Sequence, residues 1–323
     1  VLLAPGLNTK RSSLCGRSFE YYSEDPYLSG KLAAGFIRGA QKQGVSACAK
    51  HYAANAQELL RMHSDSVMDE RTLREMYLTN FEIAIKEGKP GFVMTAYNRV
   101  NGVYANESRH LLGDILRGEW GFDGAVVTDW GGSNGIIEGV REGMNLEMPA
   151  AGDDSPCQLV KAVKDGTIDE KIIDERVDQL LDFVLAEYKS GETSFDAAKQ
   201  HQAAEAAAEK CLVLLKNDEH LLPLKKDARV AVIGEFAARS RYQGAGSSMV
   251  NAAQVDDTLP MLDEFFPARV GFAQGFERLD IANDALADEA VQLAKTADCA
   301  VVYLGLPECL TARICACRRT KSR

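Results

Sequence analysis

The sequence predicts an α/β protein that begins with part of a TIM-type (β/α) barrel and continues into a second α/β domain. Short apolar runs rich in β-branched residues alternate with segments of helical length, as in a parallel sheet with crossover helices. Polar and aromatic residues directly follow several of these runs, at the strand ends where barrels carry their chemistry. The composition changes near residue 190, and a second alternating pattern begins there.

Composition bounds the class of protein and its partners. The 323 residues are 46% hydrophobic and 26% charged, with a net charge of −10, which favours a globular protein of two domains. An acidic balance disfavours nucleic acid and anionic membranes as partners, and no apolar run is long enough to span a membrane. Because no signal peptide precedes the first strand, we expect a cytoplasmic protein. Its eight cysteines are scattered singly, which favours reduced thiols over a disulfide framework.

The first half alternates strands and helices. The apolar run 125–127 lies between a glycine and a polar stretch, which is typical of a strand buried on both faces. By the same criteria we predict strands over residues 1–4, 45–50, 92–96, 125–127 and 144–148, and helices over residues 27–43, 70–86, 111–117, 136–141 and 168–188. This makes about five strands, whereas a closed barrel needs eight. We therefore expect a fragment whose missing barrel units precede Val1, in preference to an open sheet.

The second half begins with a linker. We divide the chain into a barrel domain over 1–190, a linker and helix over 191–210, a second domain over 211–308 and a tail over 309–323. The second domain has predicted strands over 212–215, 230–233 and 300–304, and a helix over 282–294, while an Ala-rich helix over 203–210 precedes it. Gly234 follows a strand, as in dinucleotide-binding proteins, but GEFAAR does not match G-x-G-x-x-G. We therefore predict no cofactor.

The tail differs from the rest of the chain. It carries three cysteines and five basic residues with no acidic residue, and it has no hydrophobic periodicity. A zinc site would need a second pair of ligands at suitable spacing, so we predict no metal site. This composition favours a disordered segment, or one that is not the native continuation of the preceding strand.

Five polar side chains occupy loops and strand ends in the barrel half: Arg17, Lys50, His51, Tyr97 and Asp129. Four of them have a structural alternative, namely a surface cation for the arginine, a buried polar core residue for the histidine, an aromatic lid for the tyrosine and a helix cap for the aspartate. Their recurrence at one end of successive strands favours a common site instead. Such a cluster suits a polyhydroxylated ligand, and Trp130 offers a face on which a sugar ring can stack.

The sequence resembles glycoside hydrolase family 3, the β-glucosidase and β-xylosidase type, over residues 1 to about 308. The matching motifs are GRSFEYYSEDPYL (16–28), KHYAANAQELLR (50–61), MTAYNRVNG (94–102), VVTDW (126–130), CLVLLKNDEHLLPL (211–224) and YLGLPE (303–308). The resemblance implies a barrel followed by an α/β sandwich domain, here only its start. It also implies a retaining hydrolase that cleaves terminal β-D-glycosyl residues from a β-glucoside or related substrate.

The resemblance also implies roles for single residues. The aspartate of the VVTDW-like motif is the family's nucleophile, which corresponds to Asp129. The substrate-binding positions correspond to Arg17, Lys50, His51, Met94, Tyr97 and Trp130. If Arg17 and Lys50 lie near the nucleophile, their charges would keep it ionised.

The acid/base is where the sequence departs from the family pattern. In β-glucosidases of this type it is a glutamate in a Glu-Gly-Tyr-Asp-Arg-like segment, and this chain has residues 309–313, CLTAR, instead. Glu308 belongs to the strand-end motif and is a poor substitute. The N-acetylglucosaminidase branch uses a histidine in a Gly-rich loop, which residues 53–58 do not match. Two hypotheses stay open: a β-glycosidase impaired by loss of its acid/base, and a non-catalytic carbohydrate-binding relic or pseudoenzyme.

Overall fold

The computed structural model describes residues 1–187, 194–244, 246–279 and 281–306. These residues form two compact units, the first within 1–187 and the second within 194–306. The domain boundaries that we predict stay a prediction. Glu308 and the tail over 309–323 lie outside the described residues.

Strands and helices alternate in both units. The strands are β1 (Cys48–Tyr52), β2 (Asp65–Ser66), β3 (Phe92–Thr95), β4 (Arg99–Val100), β5 (Val103–Tyr104), β6 (Ala125–Thr128), β7 (Val230–Ile233), β8 (Gly271–Ala273) and β9 (Cys299–Val302). The α-helices are α1 (Pro26–Lys42), α2 (Glu70–Thr72), α3 (Thr79–Ile83), α4 (Ile136–Glu142), α5 (Asp154–Lys164), α6 (Glu170–Glu187), α7 (Ala197–Cys211), α8 (Glu235–Ala238), α9 (Thr258–Phe265) and α10 (Asp284–Ala294). Wider π-helical turns occur at Leu73–Leu78, Ala84–Gly88 and His110–Glu119, and 3₁₀ turns occur at Ser18–Glu20, Ala105–Glu107 and Gly246–Ser248.

The central sheet of the first unit is parallel, and its strand order β1-β3-β6 follows the chain order. Leu2 and Gly6 extend this order on one side. Leu2 forms a parallel bridge to Ala47, just before β1, and Gly6 forms one to Lys50 within β1. Leu146 forms a parallel bridge to β6 on the other side. Five chain segments therefore lie side by side in chain order, as in a (β/α) barrel and as five predicted strands require. The outer two are single bridges instead of full strands.

Helix α1 illustrates why the helices of this unit form where they do. Asp25 precedes it, and its carboxylate accepts hydrogen bonds from the backbone N–H groups of Tyr27 and Leu28. Proline occupies the first helical position, where its missing N–H costs nothing. The buried face of α1 packs against the helical segment 70–88, whose α-helical and π-helical turns alternate.

Successive side chains of the central sheet enter two different cores. Ala49, Val93 and Val126 lie in the core shared with the outer helices. Met94 and Val127 belong to the opposite cluster, which α6 covers in part. This alternation follows from the two-residue repeat of a strand. Asp129 follows Val127 by two residues. Its side chain therefore lies on the same side of the sheet as the second cluster, toward the interior of a barrel.

The second unit is an open parallel sheet of order β8-β7-β9. Strand β7 is central, so the chain crosses from one edge of this sheet to the other, which distinguishes it from the first unit. The predicted strand over 212–215 is wrong: these apolar residues lie outside any strand, with side chains 66–92% exposed. A strand needs a neighbour to complete its hydrogen bonds, and no described segment pairs with this one. Helices α5 and α9 and the three-residue β8 were not predicted, because their apolar patterns are short.

None of the helices in the described residues has the length and apolar character needed to cross a membrane. The five cysteines in this part of the chain carry free thiols: Cys15, Cys48, Cys157, Cys211 and Cys299.

Candidate active site

Asp129 lies one residue beyond β6 and is 9% exposed. Its Oδ1 accepts a hydrogen bond from the backbone N–H of Trp130 at 2.7 Å. Its Oδ2 is buried and has no hydrogen-bond partner among the described residues, although it lies 3.6 Å from Nη1 of Arg17 and 3.4 Å from Nε2 of His51. The carboxylate therefore has one oxygen held by a backbone hydrogen bond and one that accepts no hydrogen bond from the described residues.

The alternative that Asp129 caps a helix is wrong. Helix α4 begins at Ile136, and its cap is Gly135. The N–H of Gly135 donates to the carboxylate of Glu107 at 2.6 Å. The aspartate is thus not required for the start of α4.

A bulge in β1 positions His51. Lys50 pairs with Met94 and Tyr52 pairs with Thr95, so His51 is an extra residue in the ladder. Bulges of this kind redirect side chains near active sites. Asn8 holds the bulged peptide from a different segment, because its amide group donates to the carbonyl of His51 and accepts from its N–H, both at 2.8 Å.

The hydrogen bonds of the His51 ring assign its protonation state. Nη2 of Arg17 lies 2.8 Å from Nε2, and the hydroxyl of Tyr21 lies 3.2 Å from Nδ1. Since a guanidinium can only donate, we assign Nε2 as the acceptor and place the ring proton on Nδ1. Burial, followed by the charges of Arg17, Lys50 and Arg61, holds the pKa of His51 well below its ordinary value. The ring is therefore neutral.

The two cations that we expected beside the nucleophile occupy different positions. Arg17 contacts Asp129 directly, whereas Nζ of Lys50 lies 3.7 Å from Oε2 of Glu20. The same glutamate accepts a hydrogen bond from Nε of Arg17 through its other oxygen. Only the arginine thus forms an ion pair with Asp129.

Tyr97 joins the site from the end of β3. Its hydroxyl donates to the carbonyl of Trp130 at 2.8 Å, and the guanidinium carbon of Arg61 lies 4.6 Å from the centre of its ring. Burial and then the Asp129 carboxylate raise the pKa of Tyr97, so the phenol keeps its proton. Glu58 accepts hydrogen bonds from Arg61 at 3.2 Å and Asn55 at 3.3 Å.

The two remaining predicted site residues lie in contrasting surroundings. Met94 is 3% exposed and packs in the apolar cluster with Val127. Trp130 is 66% exposed, so its indole face is accessible from solvent. Their assignment to a substrate site stays a prediction.

Sequence reasoning missed several members of this cluster: Asn8, Glu20, Tyr21, Glu58 and Arg61. A signal existed for Glu20, because it follows Arg17 by three residues in a polar turn, a spacing that suits an ion pair. Arg61 and Glu58 lie inside the quoted motif over 50–61 without having been assigned a role. Asn8 had no local signal, since its partner is 43 residues away.

Comparison with known proteins places these motifs in a family. Residues 1–183 match the profile described as Glycosyl hydrolase family 3 N terminal domain, and residues 212–314 match Glycosyl hydrolase family 3 C-terminal domain. The thermostable beta-glucosidase B of Acetivibrio thermocellus is 44% identical over 313 residues, which cover 95% of this chain and 42% of that protein. An exo-alpha-(1->6)-L-arabinopyranosidase of Bifidobacterium longum is 42% identical over 321 residues, again covering 95% and 42%.

Solved structures agree. The GH3 beta-glucosidase of Bifidobacterium adolescentis superposes with a TM-score of 0.88 at 41% identity and covers 96% of this chain, which spans 46% of that structure. Beta-glucosidase 3B of Thermotoga neapolitana in complex with glucose superposes with a TM-score of 0.80 at 34% identity, covering 94% and 47%. The chain thus spans less than half the length of these relatives. Because the N-terminal profile alone matches more than half of its residues, the chain belongs to glycosyl hydrolase family 3.

Proposed function

We propose that this chain carries the nucleophile half of a retaining β-glycosidase site, with Asp129 attacking the anomeric carbon of a terminal β-D-glycosyl residue. One observation carries the proposal: Oδ2 of Asp129 is buried without a hydrogen-bond partner among the described residues. A nucleophilic carboxylate needs a lone pair that no hydrogen bond occupies. The two other carboxylates of the cluster, Glu20 and Glu58, are engaged by cations.

The surroundings of Asp129 suit this chemistry. The guanidinium of Arg17 places a positive charge 3.6 Å from Oδ2. Because the ring of His51 is neutral, it does not transfer a proton to the carboxylate of Asp129. Lys50, Arg17 and the neighbouring peptide groups supply donors for sugar hydroxyls, and the exposed indole of Trp130 supplies an apolar face.

The acid/base step sets the expected limits of activity. Family resemblance leads us to expect a glutamate where this chain has residues 309–313, and these residues lie outside the described part of the chain. General acid catalysis typically contributes about 10²- to 10⁴-fold. We therefore propose that an activated aryl glycoside reacts, whereas cellobiose, which needs protonation of its leaving group, does not react measurably.

The test is intact-mass spectrometry after incubation with 2,4-dinitrophenyl 2-deoxy-2-fluoro-β-D-glucoside. In the expected reaction, Oδ2 of Asp129 forms a bond to the anomeric carbon while the bond to the dinitrophenolate breaks, and the electron pair leaves with the phenolate. We expect one added fluoroglucosyl group on the unmodified chain and none on Asp129→Asn. Asp123→Asn, a matched change at an exposed carboxylate of the same segment, should label as the unmodified chain does.

Three other outcomes are informative. Labelling that survives Asp129→Asn would contradict the proposed nucleophile. No adduct, together with glucose binding detected by calorimetry, would favour the non-catalytic carbohydrate-binding alternative. Robust hydrolysis of cellobiose would show that an acid/base is present, and Glu308 would be the first residue to replace.

The sugar is tested separately. The matched relatives include a protein named as a beta-glucosidase and one named as an arabinopyranosidase, at 44% and 42% identity. We propose a β-D-glucoside as the substrate, because solved relatives of the same fold hold glucose. A panel of dinitrophenyl β-D-glucoside, β-D-xyloside and α-L-arabinopyranoside ranks the alternatives, and faster phenolate release from the arabinoside would overturn this choice.

A further inference from the structure

Glu20 contacts both cations of the site without contacting Asp129. It closes the 3₁₀ turn Ser18–Glu20, and its two carboxylate oxygens face different partners. Oε1 accepts from Nε of Arg17, and Oε2 lies 3.7 Å from Nζ of Lys50. All three side chains are largely buried, with 14–16% of each exposed. Ion pairs shielded in this way are stronger and less screened by salt than pairs at the surface.

The bond from Glu20 orients the guanidinium of Arg17. A guanidinium is planar, so two fixed N–H groups determine where the third points. Nε is held by Glu20, and Nη2 is held by Nε2 of His51 at 2.8 Å. The remaining Nη1 then faces Oδ2 of Asp129 at 3.6 Å. The direction of the positive charge toward the nucleophile thus depends on Glu20.

Glu20 also balances the charge of the cluster. Without it, Arg17 and Lys50 would present two positive charges to the single negative charge of Asp129. With it, the four groups sum to zero. The ammonium of Lys50 is drawn toward Glu20, at the bulge of β1, instead of pairing with Asp129.

We propose that Glu20 is a positioning residue that orients Arg17 and holds Lys50, so that Arg17 and not Lys50 faces Oδ2 of Asp129. The role of Glu20 toward Asp129 rests on the proposed function. The role of Glu20 in arranging Arg17 and His51 is independent of that function.

The first test compares Glu20→Gln with Glu24→Gln, which makes the same change of charge at an exposed residue of the next loop. Rates of labelling by the fluoroglucoside reagent are measured against reagent concentration. If Glu20 orients the donors of Arg17 and Lys50, the affinity for the reagent should fall in Glu20→Gln and stay unchanged in Glu24→Gln. The reagent concentration at half-maximal rate should rise about tenfold, as for loss of one charge-assisted hydrogen bond.

Glu20→Asp serves as the rescue variant. It restores the negative charge on a shorter side chain, so the affinity for the reagent should recover part of the loss seen in Glu20→Gln. A structural role alone would lower the amount of protein that labels without changing the reagent concentration at half-maximal rate. Glu20→Gln with an unchanged affinity would overturn the proposal.

The second test needs no reaction. In the unmodified chain, Nε2 of His51 accepts a hydrogen bond from Arg17, which sets its ¹⁵N chemical shift. In Glu20→Gln the resonance should move toward that of an unbonded imidazole nitrogen, and in Glu24→Gln it should not move. If the unmodified chain fails to label, the proposed function fails, and this resonance still decides the role of Glu20. An unchanged resonance in folded Glu20→Gln would overturn that role.

Discussion

His51 is a histidine that burial, helped by the surrounding cations, keeps neutral. Its ring is fully buried and accepts a hydrogen bond from Arg17. Burial first, and then the charges of Arg17, Lys50 and Arg61, lower its pKa in the folded state. The ring therefore acts as a fixed acceptor for the arginine, which is a more specific role than that of a satisfied core residue.

This assignment predicts how stability depends on pH. In the unfolded chain the pKa of a histidine is about 6.5. Below that pH the unfolded state binds a proton that the folded state does not bind, so the contribution of His51 lowers the free energy of unfolding by up to about 1.4 kcal/mol per pH unit. Above about pH 6.5 this contribution is constant. The loss on acidification continues until the lowered pKa of the folded state is reached.

NMR of the ring resonances of His51 checks the prediction. Between pH 8 and pH 5 the folded protein should show no protonation of this ring. In concentrated urea the same residue should titrate near its ordinary pKa. A midpoint near 6.5 in the folded protein would contradict both the tautomer and the role that we assign to the ring.

Asn8 stabilises the bulge that carries this histidine. Its side chain makes both hydrogen bonds to the His51 peptide and is 2% exposed. Asn8→Ala leaves a buried N–H and a buried carbonyl unpaired, so we expect a loss of about 2–4 kcal/mol in the free energy of unfolding. Urea denaturation measures the loss. Asn134→Ala, at an exposed asparagine, should change the free energy of unfolding by less than about 0.5 kcal/mol. Equal losses in the two variants would contradict the role of Asn8 in stabilising the bulge.

At the scale of elements, close packing of α1 against the helical segment 70–88 supports the outer wall of the sheet. Gly30 permits this contact, because a Cβ atom there would lie 2.8 Å from Cβ of Ile83 and 3.1 Å from Cα of Asn80. Neither neighbour is the end of a flexible side chain. The interface therefore depends on a glycine at this position.

Two glycine substitutions in α1 test this interface. Gly30→Ala should lower the free energy of unfolding by about 1–3 kcal/mol through overpacking. Gly35→Ala, where an added Cβ meets nothing within 4 Å, should raise it by about 0.5–1 kcal/mol through helix propensity. Both values come from urea denaturation of the full chain. Stabilisation by both alanines would show that the helices can separate at little cost.

At the scale of the whole molecule, unpaired apolar segments predict self-association. The residues 212–215 lie outside any strand, and their side chains are 66–92% exposed. An exposed apolar segment that belongs to no sheet can pair with a second chain. We expect sedimentation velocity to detect species larger than a monomer at micromolar concentration.

Two lysine substitutions separate this segment from other exposed apolar residues. Leu215→Lys should reduce the associated fraction, since a charge at an edge opposes pairing. Leu14→Lys replaces another exposed leucine, 81% exposed, and should leave association unchanged. A monomeric unmodified chain that melts cooperatively at an ordinary temperature would refute the prediction.

Much of the fold was predictable from local pattern. Strand β7 has the predicted bounds. Helix α1 is displaced from its predicted bounds by one residue, and α4 ends one residue later than predicted. Five segments of the first unit lie in the predicted order. These features depend on near neighbours in the chain, through side-chain periodicity and capping. The strand over 212–215 was not predictable in this way, because pairing requires a partner that the segment itself does not specify.

The sequence by itself determined the family motifs, the parallel α/β order and the position of Asp129 at the end of a buried strand. Each of these is encoded in short contiguous stretches. Only the tertiary structure decided that Lys50 pairs with Glu20, that His51 is the bulged residue and that Met94 packs in the apolar cluster with Val127. These outcomes depend on strand register and on contacts between residues about 30–45 positions apart, such as Glu20 with Lys50 and Asn8 with His51. Periodicity specifies which face a side chain takes, whereas packing between distant segments selects its partner.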